Sequence, residues 1–349
     1  MTLAAPAPSP TPRNVLIIKP SSLGDVVSAL PIPAGIKRSF PDCRVSWLVT
    51  PACADILANQ GDVDEVILFD RRLYGRMLTS PAAGLAFLKF CRQLKARRFD
   101  WVLDLQGLFR SGYMAWQTKA PLRAGFADAR EAAGIFYNRR IACRSEHTID
   151  RSIELARAVG VDARAEDFHL HVDPAARQKV EALLAGQSVR PGQFVLLFPG
   201  TRWQSKTYPA RLWREVAQGL ARDWPVVLAG GPAERELCQS LAGPGIVDLA
   251  AQTNLRGLSA LISLARLVIC CDSSANFLSP AVGTPHLVLL GPTRPERTGP
   301  YGPLGRMLRP TVDCLGCLRR RCWHDSCMQW IAPADVISAA REMMAAAKT

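Results

Sequence analysis

The sequence predicts an α/β protein made of two doubly wound domains that face each other across a cleft. Short apolar runs typical of buried parallel strands alternate with helical patterns in both halves of the chain. The pattern starts again after the linker SVRPGQ at residues 188–193, and 349 residues are too many for one ordinary hydrophobic core. Polar or glycine-containing turns follow several strands, as in open sheets that bind ligands outside the carboxyl ends of their strands.

Residues 13–175 are predicted to form the first domain. Its first strand is VLII at residues 15–18, an apolar run suited to burial on both faces of a sheet, and a helix is expected at residues 26–39. Further strands are expected at residues 45–49, 63–70 and 100–105, and further helices at residues 85–96 and 147–159. This alternation predicts a parallel sheet covered by helices.

Residues 190–332 are predicted to form the second domain, and residues 333–349 a C-terminal helix that begins with proline. Strands are expected at residues 194–200, 224–231, 267–271 and 286–290, and helices at residues 209–222, 233–241, 258–265 and 275–282. Residues 1–12 are rich in proline and alanine, lack a secretory signal, and are predicted to be a disordered tail.

The composition is that of a globular protein, with 48% hydrophobic and 21% charged residues. No stretch reaches the roughly 18 uninterrupted apolar residues of a membrane span. Eleven cysteines in a chain without an export signal favour reduced thiols over disulfides. We therefore expect the protein in the cytoplasm.

The formal net charge of +13 predicts an anionic partner. Phosphorylated substrates and an acidic membrane surface are the favoured classes. Nucleic acid is not an expected partner, because the basic groups lie far apart in sequence and no nucleic-acid-binding motif accompanies them.

The turn after the first strand, residues 19–25, is the first candidate ligand site. Lys19 and Asp25 supply one charge of each sign, and Gly24 allows a ligand to approach the backbone. A second polar strand end, QGLFRS at residues 106–111, opens a helix in the same half. Each turn taken alone is equally consistent with an ordinary connection between a strand and a helix.

Three strand ends in the second half carry groups suited to a nucleotide diphosphate. Thr201 and Lys206 place a hydroxyl and a cation after one strand, and Glu234 follows a glycine pair from which it could bond a ribose hydroxyl. The run of Asp272, Ser273 and Ser274 precedes a predicted helix, where hydroxyls and free N–H groups favour phosphate. The absence of a GxxxxGK[ST] motif and of GxGxxG after the first strand argues against a kinase and a dinucleotide oxidoreductase.

Six blocks occur in order along nearly the whole chain. They are VLIIKPSSLGDVVSALP, DLQGLFRS, FYNRR, FPGTRWQSKTYP, DSSANFLSPAVGTP and GPTRPERTGPYG. In these blocks the chain resembles the family 9 glycosyltransferases, the ADP-heptose:lipopolysaccharide heptosyltransferases. The resemblance implies the GT-B fold and an inverting transfer of heptose from ADP-heptose to the lipopolysaccharide inner core that requires no catalytic metal or other cofactor.

The resemblance also assigns roles to residues of this sequence. It implies Asp25 as general base, and Lys206 as the phosphate-binding cation that helps the nucleotide leave. The candidate donor-binding residues are Thr201, Lys206, Glu234, Asp272, Ser273, Ser274 and Asn276, and the candidate acceptor-binding residues are Lys19, Ser22, Gln106, Arg110, Arg123 and Arg130. An anionic lipopolysaccharide or lipid-linked glycan as acceptor would fit the excess positive charge, and would place the protein at the inner face of the cytoplasmic membrane.

The sequence departs from the family pattern in the diphosphate loop, which usually reads Asp-Ser/Thr-Gly-x-x-His. Here Ser274 replaces the glycine and Phe277 replaces the histidine. Two alternatives therefore stay open: a GT-B enzyme that uses another nucleotide sugar for a different cell-surface glycan, and a non-catalytic glycan-binding relative. The presence of Asp25 and Lys206 argues against the second.

Four cysteines near the C-terminus form a separate cluster in sequence. They are Cys314, Cys317, Cys322 and Cys327. Four thiols suffice for a structural zinc site, although their spacing is less regular than in paired CxxC ribbons. Inert reduced thiols are the favoured interpretation, and a structural zinc site is the alternative.

Overall fold

The computed structural model describes residues 11–76, 79–322 and 327–346. The chain divides into two compact units between Phe168 and His169. Most of the predicted disordered tail, residues 1–10, lies outside the described residues, and so do the last three residues of the predicted C-terminal helix. No helix within the described ranges is long and apolar enough to cross a membrane.

The first unit is built on a parallel sheet of six strands within the described residues. The strands are β1 (Asn14–Ile18), β2 (Arg44–Val49), β3 (Glu65–Leu68), β4 (Trp101–Asp104), β5 (Leu122–Phe126) and β6 (Arg139–Ile141). Their order is β3-β2-β1-β4-β5-β6, and every neighbouring pair is parallel. The strand order reverses between β1 and β4, so this is the point at which an open sheet of this kind binds ligands.

Helices cover the first sheet. They are α1 (Leu23–Val27), α2 (Pro31–Ser39), α3 (Pro51–Ala54), α4 (Arg71–Tyr74), α5 (Pro81–Ala96), α6 (Phe109–Gln117) and α7 (Thr148–Arg157). The single helix predicted at residues 26–39 is wrong. Pro31 opens a new helix, because its ring fixes φ and it has no N–H to continue the preceding one. A cluster that includes Leu16, Ile18, Phe90 and Met114 joins α5 and α6 to the strands.

The second unit repeats the plan. Its strands are β7 (Val195–Phe198), β8 (Val226–Leu228), β9 (Ile246–Asp248), β10 (Leu267–Cys271), β11 (His286–Leu289) and β12 (Gly305–Leu308). They form a parallel sheet in the order β12-β11-β10-β7-β8-β9, with the reversal between β7 and β10. The helices are α8 (Pro174–Ala185), α9 (Ala210–Leu220), α10 (Arg235–Leu241), α11 (Leu255–Leu264), α12 (Ala275–Ala281), α13 (Pro295–Thr298) and α14 (Pro333–Ala346).

The predicted fold class is confirmed: the chain is α/β with two doubly wound, Rossmann-like units. The helix α8 belongs to the second unit and packs against α11. The cleft between the units stays a prediction.

Candidate active site

Asp25 lies in the short helix α1, directly after the first strand. Its Oδ2 accepts two hydrogen bonds from Ser22, one from the backbone N–H at 2.9 Å and one from the hydroxyl at 2.8 Å. The side chain is half-buried. Because both of these donors reach the same oxygen, the geometry leaves Oδ1 for a hydroxyl group from outside.

Lys19 is placed at the same strand end and is 6% exposed. Its Nζ donates to the carbonyl oxygen of Leu105, which follows β4. The backbone of the turn is fixed as well, since the Thr50 hydroxyl donates to the Pro20 carbonyl at 3.0 Å. Lys19 therefore ties the turn after β1 to the loop after β4, at the reversal of strand order.

Asp104, at the end of β4, is a buried carboxylate that sequence reasoning missed. It accepts hydrogen bonds from the Tyr137 hydroxyl at 2.6 Å and from the N–H groups of Gln106 and Gly107 at 2.9 and 3.2 Å. Complete burial raises the pKa of Asp104. This carboxyl group sets the path of the loop that carries Gln106. The signal was an aspartate inside the apolar run WVLDL.

The predicted acceptor-binding residues of the loops after β4 and β5 have different surroundings. Gln106 is half-buried, and its Oε1 has no hydrogen-bond partner among the described residues. Arg110 lies in the first turn of α6, and Arg130 is exposed. Arg123 donates from Nε to the carbonyl of Phe136 at 3.1 Å and from Nη1 to that of Ala120 at 2.6 Å. These bonds give Arg123 a structural task, and its role toward the acceptor stays a prediction.

In the second unit, Lys206 and Asp272 come together at the reversal of strand order. Lys206 Nζ lies 2.8 Å from Asp272 Oδ2, with side chains 16% and 6% exposed. The Thr298 hydroxyl donates to the same carboxylate oxygen at 3.3 Å, and Asn276 Nδ2 donates to the Thr298 carbonyl at 2.7 Å. The sequence predicted Lys206 and Asp272 at one donor site but did not predict the contact between them.

Three buried oxygens on the residues that follow β10 and β11 have no hydrogen-bond partner within the described part of the chain. They belong to Ser273 (Oγ), Asn276 (Oδ1) and Thr293 (Oγ1). Buried polar atoms are normally hydrogen-bonded, so a group of such atoms after neighbouring strands β10 and β11 is suited to a polar ligand. Thr293 was missed as a candidate, although it lies in the quoted block GPTRPERTGPYG.

Glu234 and Thr201 lie in the remaining loops of this strand edge. Glu234 accepts a hydrogen bond from the Gly231 N–H at 2.7 Å. A Cβ atom at Gly200 or at Gly230 would come within 2.2 or 2.7 Å of the Glu234 side chain, so both glycines are required to seat it. Thr201 Oγ1 lies 2.9 Å from Thr207 Oγ1, which closes the loop that carries Lys206.

The two departures from the family motif also have a structural description. Ser274 has φ −63°, an ordinary right-handed conformation, so the backbone here does not require glycine. Phe277 is buried, with 8% of its surface exposed.

The segment that carries the four cysteines packs against the loop of Lys206. The Ser205 hydroxyl donates to the Arg319 carbonyl at 2.6 Å, and the Arg320 guanidinium lies 5.3 Å from the centre of the Trp203 ring. Lys206 Nζ lies 4.4 Å from the same ring. Trp203 thus contacts both cations, which sequence reasoning did not find.

The predicted zinc site has no geometric support. Cys314 and Cys317 are exposed, whereas Cys322 and Cys327 are partly buried. Among the described residues, no three or more histidine, cysteine or acidic side chains are grouped so that they could hold a metal ion. Burial, together with the neighbouring Cys314, Cys317 and Cys322, raises the pKa of the Cys327 thiol to about 11. A zinc site here stays a prediction.

Two Rossmann-like units, one with a carboxylate and one with a cation at the reversal of strand order, fit the architecture of an α/β glycosyltransferase. Residues 87–327 match glycosyltransferase family 9 (heptosyltransferase), and the chain belongs to this family.

Relatives and solved structures agree with this membership. The chain is 32% identical to lipopolysaccharide heptosyltransferase 1 of Pseudomonas aeruginosa over 89% of its own length and 88% of the relative's. It is 28% identical to lipopolysaccharide heptosyltransferase 1 of Escherichia coli K12 over 83% and 91% of the two chains. The structure of E. coli heptosyltransferase WaaC with ADP-2-deoxy-2-fluoro heptose superposes with a TM-score of 0.74 at 25% identity, covering 94% of this chain and 99% of WaaC.

Proposed function

We propose that this glycosyltransferase moves heptose from ADP-heptose to the lipopolysaccharide inner core. The observation that carries the choice of substrates is the similarity to lipopolysaccharide heptosyltransferase 1 of P. aeruginosa over nearly the full length of both chains. The similarity to WaaC, solved with an ADP-heptose analogue, supports the same donor.

The donor diphosphate binds at the Lys206 and Asp272 pair in this proposal. Lys206 supplies positive charge where the carboxyl ends of β7 and β10 meet, and the Ser273 hydroxyl donates to a phosphate oxygen, whereas Asn276 Oδ1 accepts from a hydroxyl of the donor sugar. Glu234 takes the ribose hydroxyls. When the bond between the anomeric carbon and the diphosphate breaks, the electron pair stays on the ADP oxygen, and Lys206 stabilises that charge.

Asp25 acts as the general base on the acceptor. Its Oδ1 takes the proton from the acceptor hydroxyl, and the hydroxyl oxygen forms the new bond to the anomeric carbon as ADP leaves. Attack from the side opposite the leaving group inverts the configuration at that carbon. Ser22 positions the carboxylate through its two hydrogen bonds to Oδ2.

The acceptor is an anionic lipopolysaccharide precursor, and the residues that bind it are Lys19, Gln106, Arg110 and Arg130. Guanidinium groups suit the carboxylates and phosphates of such an acceptor. We further propose that no catalytic metal is needed, because cations of the chain neutralise the leaving group, and that the protein works peripherally at the inner face of the cytoplasmic membrane.

A donor screen tests this function. The purified chain is incubated with a heptose-deficient lipopolysaccharide acceptor and, in separate reactions, with ADP-heptose, another ADP-sugar and UDP-sugars. We expect heptose incorporation and ADP release only with ADP-heptose, and no loss of rate in the presence of a chelator.

The screen also decides the alternative that Phe277 favours, since this residue replaces the histidine of the usual diphosphate loop. Transfer from a different nucleotide sugar would establish another glycan as the product. No turnover with any donor, despite a folded protein, would contradict the proposed activity.

A further inference from the structure

The outer surface of α4, α5 and α6 in the first unit exposes large apolar side chains. We call this surface the basic apolar face. It contains six of the eleven exposed large hydrophobic residues of the described chain, between 40% and 68% exposed: Leu73, Leu85, Leu88, Phe109, Trp116 and Ile135. Large exposed apolar patches are uncommon on monomeric proteins and mark surfaces that bind a protein, a membrane or a ligand.

Aromatic contacts join α5, α6 and the segment of Ile135. Ring centres of Phe87 on α5 and Tyr113 on α6 lie 6.0 Å apart. Phe136, beside Ile135, lies 5.8 Å from Tyr113, 5.2 Å from Phe109 and 6.4 Å from Trp116. Phe109 and Trp116 therefore pack around one ring, Phe136, and the contact of Phe87 with Tyr113 joins α5 to α6.

The spacing along the helices separates this face from the core. On α5 the exposed Leu85, Leu88 and Arg92 are three and four residues apart, whereas Phe87 and Phe90 between them are buried against the sheet. On α6, Phe109 and Trp116 are seven residues apart and lie on the same outer stripe. Both helices thus carry two apolar patterns, one that faces the core and one that is exposed to solvent.

The charges of this face are almost all positive. Residues 71–99 contain no aspartate or glutamate and eight basic residues, which are Arg71, Arg72, Arg76, Lys89, Arg92, Lys95, Arg97 and Arg98. Residues 105–126 also contain no acidic residue. Lys119 Nζ lies 3.4 Å from the centre of the Trp116 ring. The acids beside these residues are Glu65, which forms an ion pair with Arg97, Asp70, which caps α4, and Glu131, whose carboxylate accepts from the Phe109 N–H.

We propose that the basic apolar face docks on a bilayer surface that contains anionic lipids. Leucine, isoleucine and aromatic side chains enter the boundary between headgroups and acyl chains, while lysine and arginine contact anionic headgroups. Exposed leucines and isoleucine offer no stacking surface for nucleic acid, so the apolar half of the pattern favours lipid. Neither the apolar part nor the basic part of this argument depends on the proposed transferase reaction.

The docking surface also adjoins the candidate acceptor residues. Phe109 belongs to the face and precedes Arg110, and both follow the loop of Gln106 that Asp104 holds in place. Resting on the proposed function, this places the bilayer beside the site that takes a lipid-linked acceptor.

Vesicle flotation of the purified full chain tests the proposal. The vesicles are phosphatidylcholine alone, or phosphatidylcholine mixed with phosphatidylglycerol, without any lipopolysaccharide, so the result is independent of acceptor binding. We expect binding to the mixed vesicles to be at least about tenfold stronger than to phosphatidylcholine, and to weaken at about 0.5 M salt.

Two variants separate the charged and apolar parts. The triple variant Lys89→Gln, Arg92→Gln, Lys95→Gln and the double variant Leu85→Gln, Leu88→Gln should each reduce binding by about tenfold or more. The matched controls, exposed in the second unit, are Lys179→Gln, Arg190→Gln, Arg222→Gln and Leu304→Gln, Met307→Gln. Both should bind as the unaltered chain does, with all variants checked for folding by circular dichroism.

Each of the following results would overturn the proposal. One is failure of the unaltered, folded chain to bind the mixed vesicles. Another is equal loss in the two charge variants, which would mean attraction by net charge alone. The third is unchanged binding of the Leu85 and Leu88 variant, or stronger capture by a nucleic acid in the same salt. Heptose transfer to a detergent-dispersed acceptor would still occur in each case, so the two proposals fail separately.

Discussion

Lys206 Nζ lies 2.8 Å from Asp272 Oδ2, and this ion pair joins the ends of two neighbouring strands, β7 and β10, of the second sheet. The pair is mostly buried, so water screens it less than a surface pair. Trp203 packs on the lysine and Thr298 donates to the aspartate, which holds both charges in one geometry. The cation is thus in place before any ligand binds.

Replacing Lys206 should weaken nucleotide binding. Lys206→Met keeps the length of the side chain but removes its charge, and losing a charge-assisted contact to phosphate should raise the ADP dissociation constant about tenfold to hundredfold. Isothermal titration calorimetry with ADP measures this. Lys179→Met, on the exposed side of α8, is the control and should bind ADP normally. Equal affinity in both variants would remove Lys206 from the donor site.

Removing the Tyr137 hydroxyl should destabilise the first unit. Asp104 would keep its backbone contacts but lose a donor at 2.6 Å while remaining fully buried. We expect Tyr137→Phe to lower the free energy of unfolding by about 1–3 kcal/mol. Urea denaturation followed by tryptophan fluorescence tests this, and an unchanged midpoint would show that the contact does not contribute to stability.

Gly125 leaves room for the ring of Tyr137, whose hydroxyl donates to Asp104. A Cβ atom there would come within 2.3 Å of the Tyr137 ring, whereas one at Gly134 would meet only Arg140 Cδ, at 3.7 Å. Gly125→Ala should therefore cost about 1–3 kcal/mol through overpacking, and Gly134→Ala should cost clearly less. Thermal denaturation of the two variants compares them, and a reversed order would contradict this packing.

His286 should make stability depend on pH. Burial lowers the pKa of this histidine from 6.5 to about 4. Between these values the unfolded chain binds a proton that the folded chain does not, so the free energy of unfolding falls as pH decreases from about 6.5 to about 4. The contribution of this residue is on the order of 3 kcal/mol. It is fully present above pH 6.5.

Denaturation of the unaltered chain and of His286→Gln at several pH values isolates that contribution. Because glutamine does not titrate, the difference between the two proteins should shift in favour of the variant as the pH falls through this window. A difference that stays constant would mean that the buried imidazole has an ordinary pKa.

The sequence predicted the repeated βαβ plan and the strand ends that carry polar groups, because buried parallel strands are continuous apolar runs. It missed β5, in which Arg123 and Gly125 interrupt the apolar run, and it missed β6, β9 and β12. These last three strands lie at or near the sheet edges and are only three or four residues long, too short for a recognisable pattern.

The sequence predicted which residues belong to the candidate site, but not which of them contact each other. Lys206 and Asp272 are 66 residues apart, and Asp104 and Tyr137 are 33 apart, so only the sheet order brings each pair together. The sequence did not indicate a role for Trp203 for a similar reason, since Arg320, which contacts its ring, lies in a loop that is distant in sequence. Arg123 shows the reverse case: its charge suggested a ligand, whereas two of its nitrogens bind main-chain carbonyls.

The most direct test of the central claim is the rate of heptose transfer by Asp25→Asn under saturating ADP-heptose and acceptor. Asparagine keeps the size of the side chain but cannot take the proton, so we expect the rate to fall by about 100-fold to 10,000-fold while ADP affinity stays normal. Ser22→Ala, which leaves the carboxylate in place, should lose much less activity. A rate for Asp25→Asn close to that of the unaltered enzyme would contradict the account.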